Sequence, residues 1–206
     1  MKAILKTISG FMLVVAIAAG YMMSAGIYNI GATDKHWLIT EKLIEWMRNN
    51  SIAARANVLE VPTMEETEYL ATGATHYDAM CTICHLAPGQ ELTELAQGLY
   101  PQAPVFHQRK LPAGTDAIET QTKAYFWVIK NGIKMTAMPA WGLTHDDETI
   151  WAMALFVQKL ENMSADQYQK LISKHSNSDG HEHKHDHAHS HQKNGYDSHH
   201  QNKDID

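Results

Sequence analysis

The sequence predicts an all-α protein, a small helical domain preceded by a transmembrane helix. Three observations carry this reading. Lys2 and Lys6 precede 27 uncharged residues, Thr7 to Thr33, which include the apolar run Phe11-Met12-Leu13-Val14-Val15-Ala16-Ile17-Ala18-Ala19. Farther along, apolar residues recur at the three-and-four spacing of helices. No stretch alternates polar and apolar residues long enough for a strand, and no internal repeat is present.

About 20 predominantly apolar residues span a bilayer as a helix, so residues 1–33 read as a signal-anchor or transmembrane segment. Lysines tend to stay on the cytoplasmic side, which puts everything after residue 33 outside the cytoplasm. The alternative is a signal peptide cleaved near Ser24-Ala25-Gly26. Both readings imply export.

Residues 34–63 form a juxtamembrane helix and linker. From Asp34 to Asn50, the residues Ile39, Leu43, Trp46, Met47 and Asn50 share one helical face, with Glu41, Lys42, Glu45 and Arg48 elsewhere on the wheel. Trp37 and Trp46 suit headgroup depth at a membrane surface. The alternative is a packing helix that covers the main domain. Val61-Pro62-Thr63 breaks the pattern.

Residues 64–163 form the main domain. A first helix is predicted over Glu65–Met80, with Thr63 as N-cap and Tyr69, Leu70, Gly73 and Tyr77 along one face. Residues 86–114 hold four prolines and three glycines and read as loop around a short helix near Glu91–Gln97. A second helix covers Ala117–Asn131 and stops at Gly132. A third opens after Thr144, has Asp146, Asp147 and Glu148 at its positive end, and runs to Leu160. Its apolar positions are Ile150, Trp151, Ala154, Leu155 and Val157. Residues 164–174 form a short helical extension through Tyr168 and Leu171-Ile172. Residues 175–206 are polar and His-rich, with too little apolar content to offset the entropy of folding, and are expected to be disordered without metal.

Composition narrows the function. The chain has 206 residues, 17 Lys+Arg, 23 Asp+Glu, 14 His and 2 Cys, for a formal net charge of −6. Two cysteines exclude a disulfide-dense scaffold, and the acidic balance argues against a nucleic-acid binder. Net charge is +2 over residues 1–63, −6 over 64–163 and −2 over 164–206. A charge-guided partner of the acidic middle should therefore present a basic face.

Cys81-Thr82-Ile83-Cys84-His85 carries the chemistry. C-x-x-C-H is a c-type haem attachment pattern: two thiols three residues apart can each add to a vinyl group of one porphyrin, and the adjacent imidazole falls under the iron. A dithiol redox pair would normally sit in a βαβ unit, which is not visible here. A zinc site would need further ligands, and there are no other cysteines. The sixth iron position needs a second ligand or stays open to chemistry. Met138 is the candidate, in Asn131-Gly132-Ile133-Lys134-Met135-Thr136-Ala137-Met138-Pro139-Ala140-Trp141-Gly142. Glycine and proline there enforce a loop that can press a soft thioether against a haem face, which raises the potential. Met135 is its nearest competitor, and core filling is the other reading of a methionine.

Cys81 to His85, the Gly132–Gly142 run and the acidic-then-apolar helix at 146–160 together resemble a class I monohaem cytochrome c over residues 64–163. The resemblance implies a small cytochrome c fold of three to five helices around one covalent haem c. It implies that Cys81 and Cys84 hold the haem and that His85 and Met138 are the axial iron ligands. It also implies that a proline carbonyl, from Pro104 or else Pro101, accepts a hydrogen bond from His85 Nδ1. Tyr77, Phe156 and Gly73 fall where the family's first and last helices cross. One departure is Leu86, directly after the histidine, where the family often has glycine.

Nine of the 14 histidines lie between His175 and His200. In an extended chain His181, His183, His185, His187, His189 and His191 form one row. Such a row suits Cu, Zn, Ni or Co, and the alternative is a solvated tail that binds metal incidentally. The function expected is a periplasmic, inner-membrane-anchored bacterial electron carrier and not an enzyme. Alternatives are a metal-handling protein using the tail, or the electron-donating haem subunit of a larger oxidoreductase. The cleaved form would be soluble in the periplasm. A dihaem peroxidase would need a second CxxCH, which the sequence lacks. Redox proteins and the membrane are the expected partners.

Overall fold

The computed structural model describes residues 1–176, and their regular secondary structure is all helical, with no strand among the described residues. Helix α1, Lys2–Ser24, has 23 residues, a mean hydropathy of 2.0 over its most apolar window and no buried residue. At 1.5 Å per residue it is about 35 Å long, enough to cross a hydrocarbon core of roughly 30 Å.

Residues 25–37 do not dangle between α1 and α2. Tyr28 OH and His36 Nδ1 are 2.7 Å apart, and the Tyr28 ring meets Trp37 edge-on at 4.9 Å. The His36 backbone N–H donates to Tyr100 OH at 3.0 Å, which ties the segment to the main domain.

Helix α2, Leu38–Ala56, starts later and runs farther than the apolar pattern predicts. Its last turns, Ala53-Ala54-Arg55-Ala56, are strong helix formers that carry the helix on without large apolar residues. It packs on α6, Thr115–Asn131. The side facing the domain carries Glu41, Glu45, Arg48 and Ile52, half-buried, and Ala56, fully buried. The apolar stripe points away: Ile39, Leu43, Trp46 and Met47 are between 60% and 74% exposed.

Helix α3, Glu66–His76, is shorter than predicted. Thr63 does not cap it: Glu65 holds the N-cap position and no side chain caps the end. Tyr77–Cys81 widen into a single π-helical turn before α4, Thr82–His85, so the segment through Met80 is not one continuous α-helix. Such insertions re-aim side chains and gather at functional sites. Helix α5, Glu94–Gly98, is capped by Thr93 Oγ1, which accepts from Ala96 N at 3.0 Å. Helix α6 ends on Gly132 at φ 65°. Helix α7, Asp147–Lys159, is capped by Asp146, whose Oδ1 accepts from Thr149 N at 2.8 Å. Helix α8 is Ala165–Ser176.

The core is built where α3 crosses α7. A Cβ on Gly73 would lie 2.4 Å from Phe156 Cβ and 2.5 Å from the Ala152 carbonyl oxygen, so only glycine permits this approach. Tyr77 and Phe156 pack there with ring centroids 5.6 Å apart. Helix α7 is buried nearly all round: Ile150, Trp151, Ala154 and Val157 are in the core, with Leu155 half-buried. Helix α8 is part of this core, because Tyr168 is fully buried and its OH donates to Asp78 Oδ1 at 2.9 Å.

Candidate functional site

The π-turn and α4 bring Cys81, Cys84 and His85 to the wall of a cavity of about 570 Å³. Pro104, Phe106 and Tyr125 line the same space, with Met138 among them from the loop that follows α6. The volume is within the range of small-molecule and cofactor sites, and most of the lining is apolar.

Each side chain is held by identifiable contacts. His85 Nδ1 lies 2.8 Å from the carbonyl oxygen of Pro104. A carbonyl only accepts, so Nδ1 carries the proton and Nε2 keeps its lone pair, which is the tautomer a metal ligand requires. Pro104, and not Pro101, makes this contact. Phe106 stacks on the imidazole with centroids 4.6 Å apart and planes 22° from parallel.

The chain then turns sharply at Leu86, which has φ 62° and ψ 143° although it is not glycine. Its side chain is buried, and Tyr77 OH donates to its carbonyl at 2.8 Å. The turn is therefore as tight as glycine would allow, fixed by a buried phenol on one side and a buried leucine on the other.

The Met138 loop is cross-braced. Ile133 N donates to Met138 O at 3.2 Å, Thr136 Oγ1 donates to Ile133 O at 2.8 Å, and Met138 N donates to Thr136 Oγ1 at 3.1 Å. Gly132 cannot carry a side chain here, since a Cβ would lie 2.8 Å from both Met138 O and the Pro139 carbonyl carbon. The loop places Met138, half-buried, on the cavity wall and leaves Met135 100% exposed.

Burial shapes the site's titration. The Cys81 thiol is pushed up to about 12, mainly by burial and further by the neighbouring Cys84. Burial lowers His85 below the ordinary histidine value; the Pro104 hydrogen bond opposes this and nearby Arg109 adds to it. Burial raises Tyr125, although Arg109, whose Nη1 is 3.4 Å from its OH, pulls it back. Both cysteines are unbridged.

Residues 68–157 match the family model described as cytochrome c oxidase, cbb3-type, subunit III. This stretch is a class I-like c-type cytochrome domain. Its cysteines are spaced as CxxCH, which implies a covalent haem c, and its all-helical architecture fits that assignment. The curated proteins hold no match to the chain.

The cavity fits a haem on its own evidence. Two thiols, an imidazole with a free Nε2 and a thioether converge on one largely apolar space. The cytochrome domain does not enclose it alone: Arg48, Asn49, Ile52, Ala53 and Ala56 of α2 line the cavity and lie before the matched stretch. Sequence reasoning did not find these residues. The available signal was the off-stripe face of α2, where Arg48, Ile52 and Ala56 repeat every four residues. Thr136 was also missed, although a threonine two residues before a predicted ligand fits a local side-chain-to-backbone turn. The row from His181 to His191 lies outside the described residues. Among the described residues, no group of three or more His, Cys, Asp or Glu is gathered to hold a metal ion.

Proposed function

We propose that this chain is a membrane-anchored c-type cytochrome that carries single electrons on the periplasmic side of a bacterial inner membrane, with His85 and Met138 as the iron ligands. The observation that carries the reading is the convergence of Cys81, Cys84, His85 and Met138 on one cavity. A bound haem c supplies the one-electron iron couple. The protein's own residues then perform distinct tasks. Cys81 and Cys84 fix the porphyrin covalently, and the Pro104 carbonyl keeps the His85 ring in its binding tautomer. Arg48 and Arg109 are cations on the cavity wall, suited to the two carboxylates that a haem bears. Phe106, Tyr125 and Val157 help exclude water, which favours the less charged reduced state. Helix α1 has the length and composition of a membrane anchor.

Replacing Met138 by alanine tests the ligand assignment. The reduced variant should bind carbon monoxide and the oxidised variant cyanide, while the parent protein stays closed to both. Unchanged spectra and unchanged ligand binding would remove Met138 from the iron.

A second reading is the electron-donating subunit of a larger oxidoreductase, and the match to an oxidase subunit family favours it. Purification from membranes in mild detergent separates the two. A free carrier elutes alone, whereas a subunit brings catalytic partners with it.

A further inference from the structure

We infer that α2 lies along the membrane surface, with Ile39, Leu43, Trp46 and Met47 in the boundary between headgroups and acyl chains, so that the haem cavity it lines is held beside the bilayer. The inference rests on the membrane-anchored reading above and extends it.

The orientation of α2 is the reverse of an ordinary packing helix. An amphipathic helix on a soluble domain buries its apolar stripe. Here the domain side carries Glu41, Glu45 and Arg48, while the apolar stripe is at least 60% exposed at each of its four large residues. These residues are contiguous at helical spacing, so they form a patch and not scattered surface side chains. The exposed line runs from Ile39 through Leu43 and Trp46–Met47 to Asn50 and Ala54, with one charged side chain, Lys42, exposed on its flank between Ile39 and Trp46 and paired with Glu45.

Chain continuity points to lipid as the occupant. Only 13 residues separate the end of α1 from the start of α2. That segment is gathered in by the Tyr28–His36 contact and tied to the domain by the His36 N–H to Tyr100 OH bond. The start of α2 is thus kept close to the point where a membrane-length helix ends. Trp37, half exposed at the N-cap, and Trp46, within the stripe, are amphipathic rings of the kind that settle at headgroup depth. An interfacial helix buries its apolar face about 5–10 Å below the surface. Because Arg48, Ile52 and Ala56 on the other side line the cavity, the haem would be separated from the lipid by little more than the width of one helix, about 10 Å.

The test uses the full haem-loaded chain in vesicles of phosphatidylcholine and phosphatidylglycerol, with no other protein. Cys81 and Cys84 are then bonded to haem, so one introduced cysteine takes a nitroxide label. Ile39→Cys, Leu43→Cys and Met47→Cys are compared with Leu143→Cys, which is exposed at the end of the short 3-10 helix Trp141–Leu143 of the domain. Collision rates with oxygen, which concentrates in lipid, and with a water-soluble nickel chelate report depth. The three stripe labels should be severalfold more accessible to oxygen relative to nickel than the Leu143→Cys label. Stripe labels as accessible to nickel as Leu143→Cys, on a chain that floats with the vesicles, would overturn the inference and leave the anchor standing. A chain that does not float with the vesicles overturns the anchored reading and this inference together.

Discussion

Replacing Gly132 by alanine combines two strains that the structure allows to be measured separately. The residue sits at φ 65° and ψ −174°, a region almost closed to side chains, and holding a non-glycine residue there costs about 1–3 kcal/mol. The added Cβ would also lie 2.8 Å from Met138 O, 2.8 Å from the Pro139 carbonyl carbon and 2.9 Å from Ala140 N. These are backbone atoms, and the Ile133 N–H to Met138 O bond holds one of them in place, so the contact can be relieved only by moving the Met138 loop. Overpacking of that kind adds about 1–3 kcal/mol. Gly114 is the control: at φ 95° it carries a similar conformational cost, but an added Cβ would meet nothing within 4 Å. Urea unfolding of the haem-loaded variants, read at unchanged m, should therefore show Gly132→Ala less stable than Gly114→Ala by about 1–3 kcal/mol. On the proposed ligation by Met138, the absorption band of a thioether-ligated ferric haem should weaken in Gly132→Ala alone. Equal losses in the two variants, with that band intact in both, would refute the argument that crowding against the loop is what keeps glycine at 132.

Thr136→Val removes a hydroxyl that bridges Ile133 O and Met138 N, so it should cost about 0.5–1.5 kcal/mol and, on the proposed ligation, speed the displacement of Met138 by cyanide, measured by stopped flow. Leu86→Gly relieves a positive φ but deletes a buried side chain, and the deletion, worth about 2–5 kcal/mol, is the larger effect. Leu86→Ala loses nearly as much side chain and keeps the strain, so in chemical denaturation the glycine variant should be the more stable of the two by about 1–2 kcal/mol. Asp146 is held below its ordinary value of 3.8, chiefly by the Thr149 backbone N–H and then by the Thr149 hydroxyl. A lowered native pKa adds stability that is fully present above the unfolded value and is lost as pH falls through the native one. Between pH 5 and pH 2 the parent should therefore lose more of its urea midpoint than Asp146→Asn, whose cap does not titrate.

The legible features were those decided within a few residues of chain. The CxxCH run, the end of α6 at Gly132 and the acidic cap of α7 are local signals, because a cap or a turn is settled by its own φ, ψ and nearest polar atoms. The crossing of α3 and α7 at Gly73, Tyr77 and Phe156 was legible through the family resemblance. Thr63 failed as a cap because the helix starts after Glu65, and helix ends are fixed by small energy differences. The π-turn at Tyr77–Cys81 was hidden because an extra residue per turn leaves no mark in composition.

What the sequence alone determined is the haem attachment pattern, the membrane-length first helix and the helical class, each written in contiguous residues. Only the tertiary structure decided how those pieces face one another. Pro104 was chosen over Pro101 by a loop that brings its carbonyl to His85 across 19 positions. Met138 was put on the cavity wall and Met135 in solvent by cross-bracing through Thr136. Tyr168 was drawn into the core by Asp78, 90 positions away. Helix α2 shows the division most clearly. Its periodicity defines an apolar face but not its direction, and contacts with α6 and the cavity turned that face outward. A pattern of residues fixes which side chains share a surface, whereas the choice of what that surface meets belongs to long-range packing.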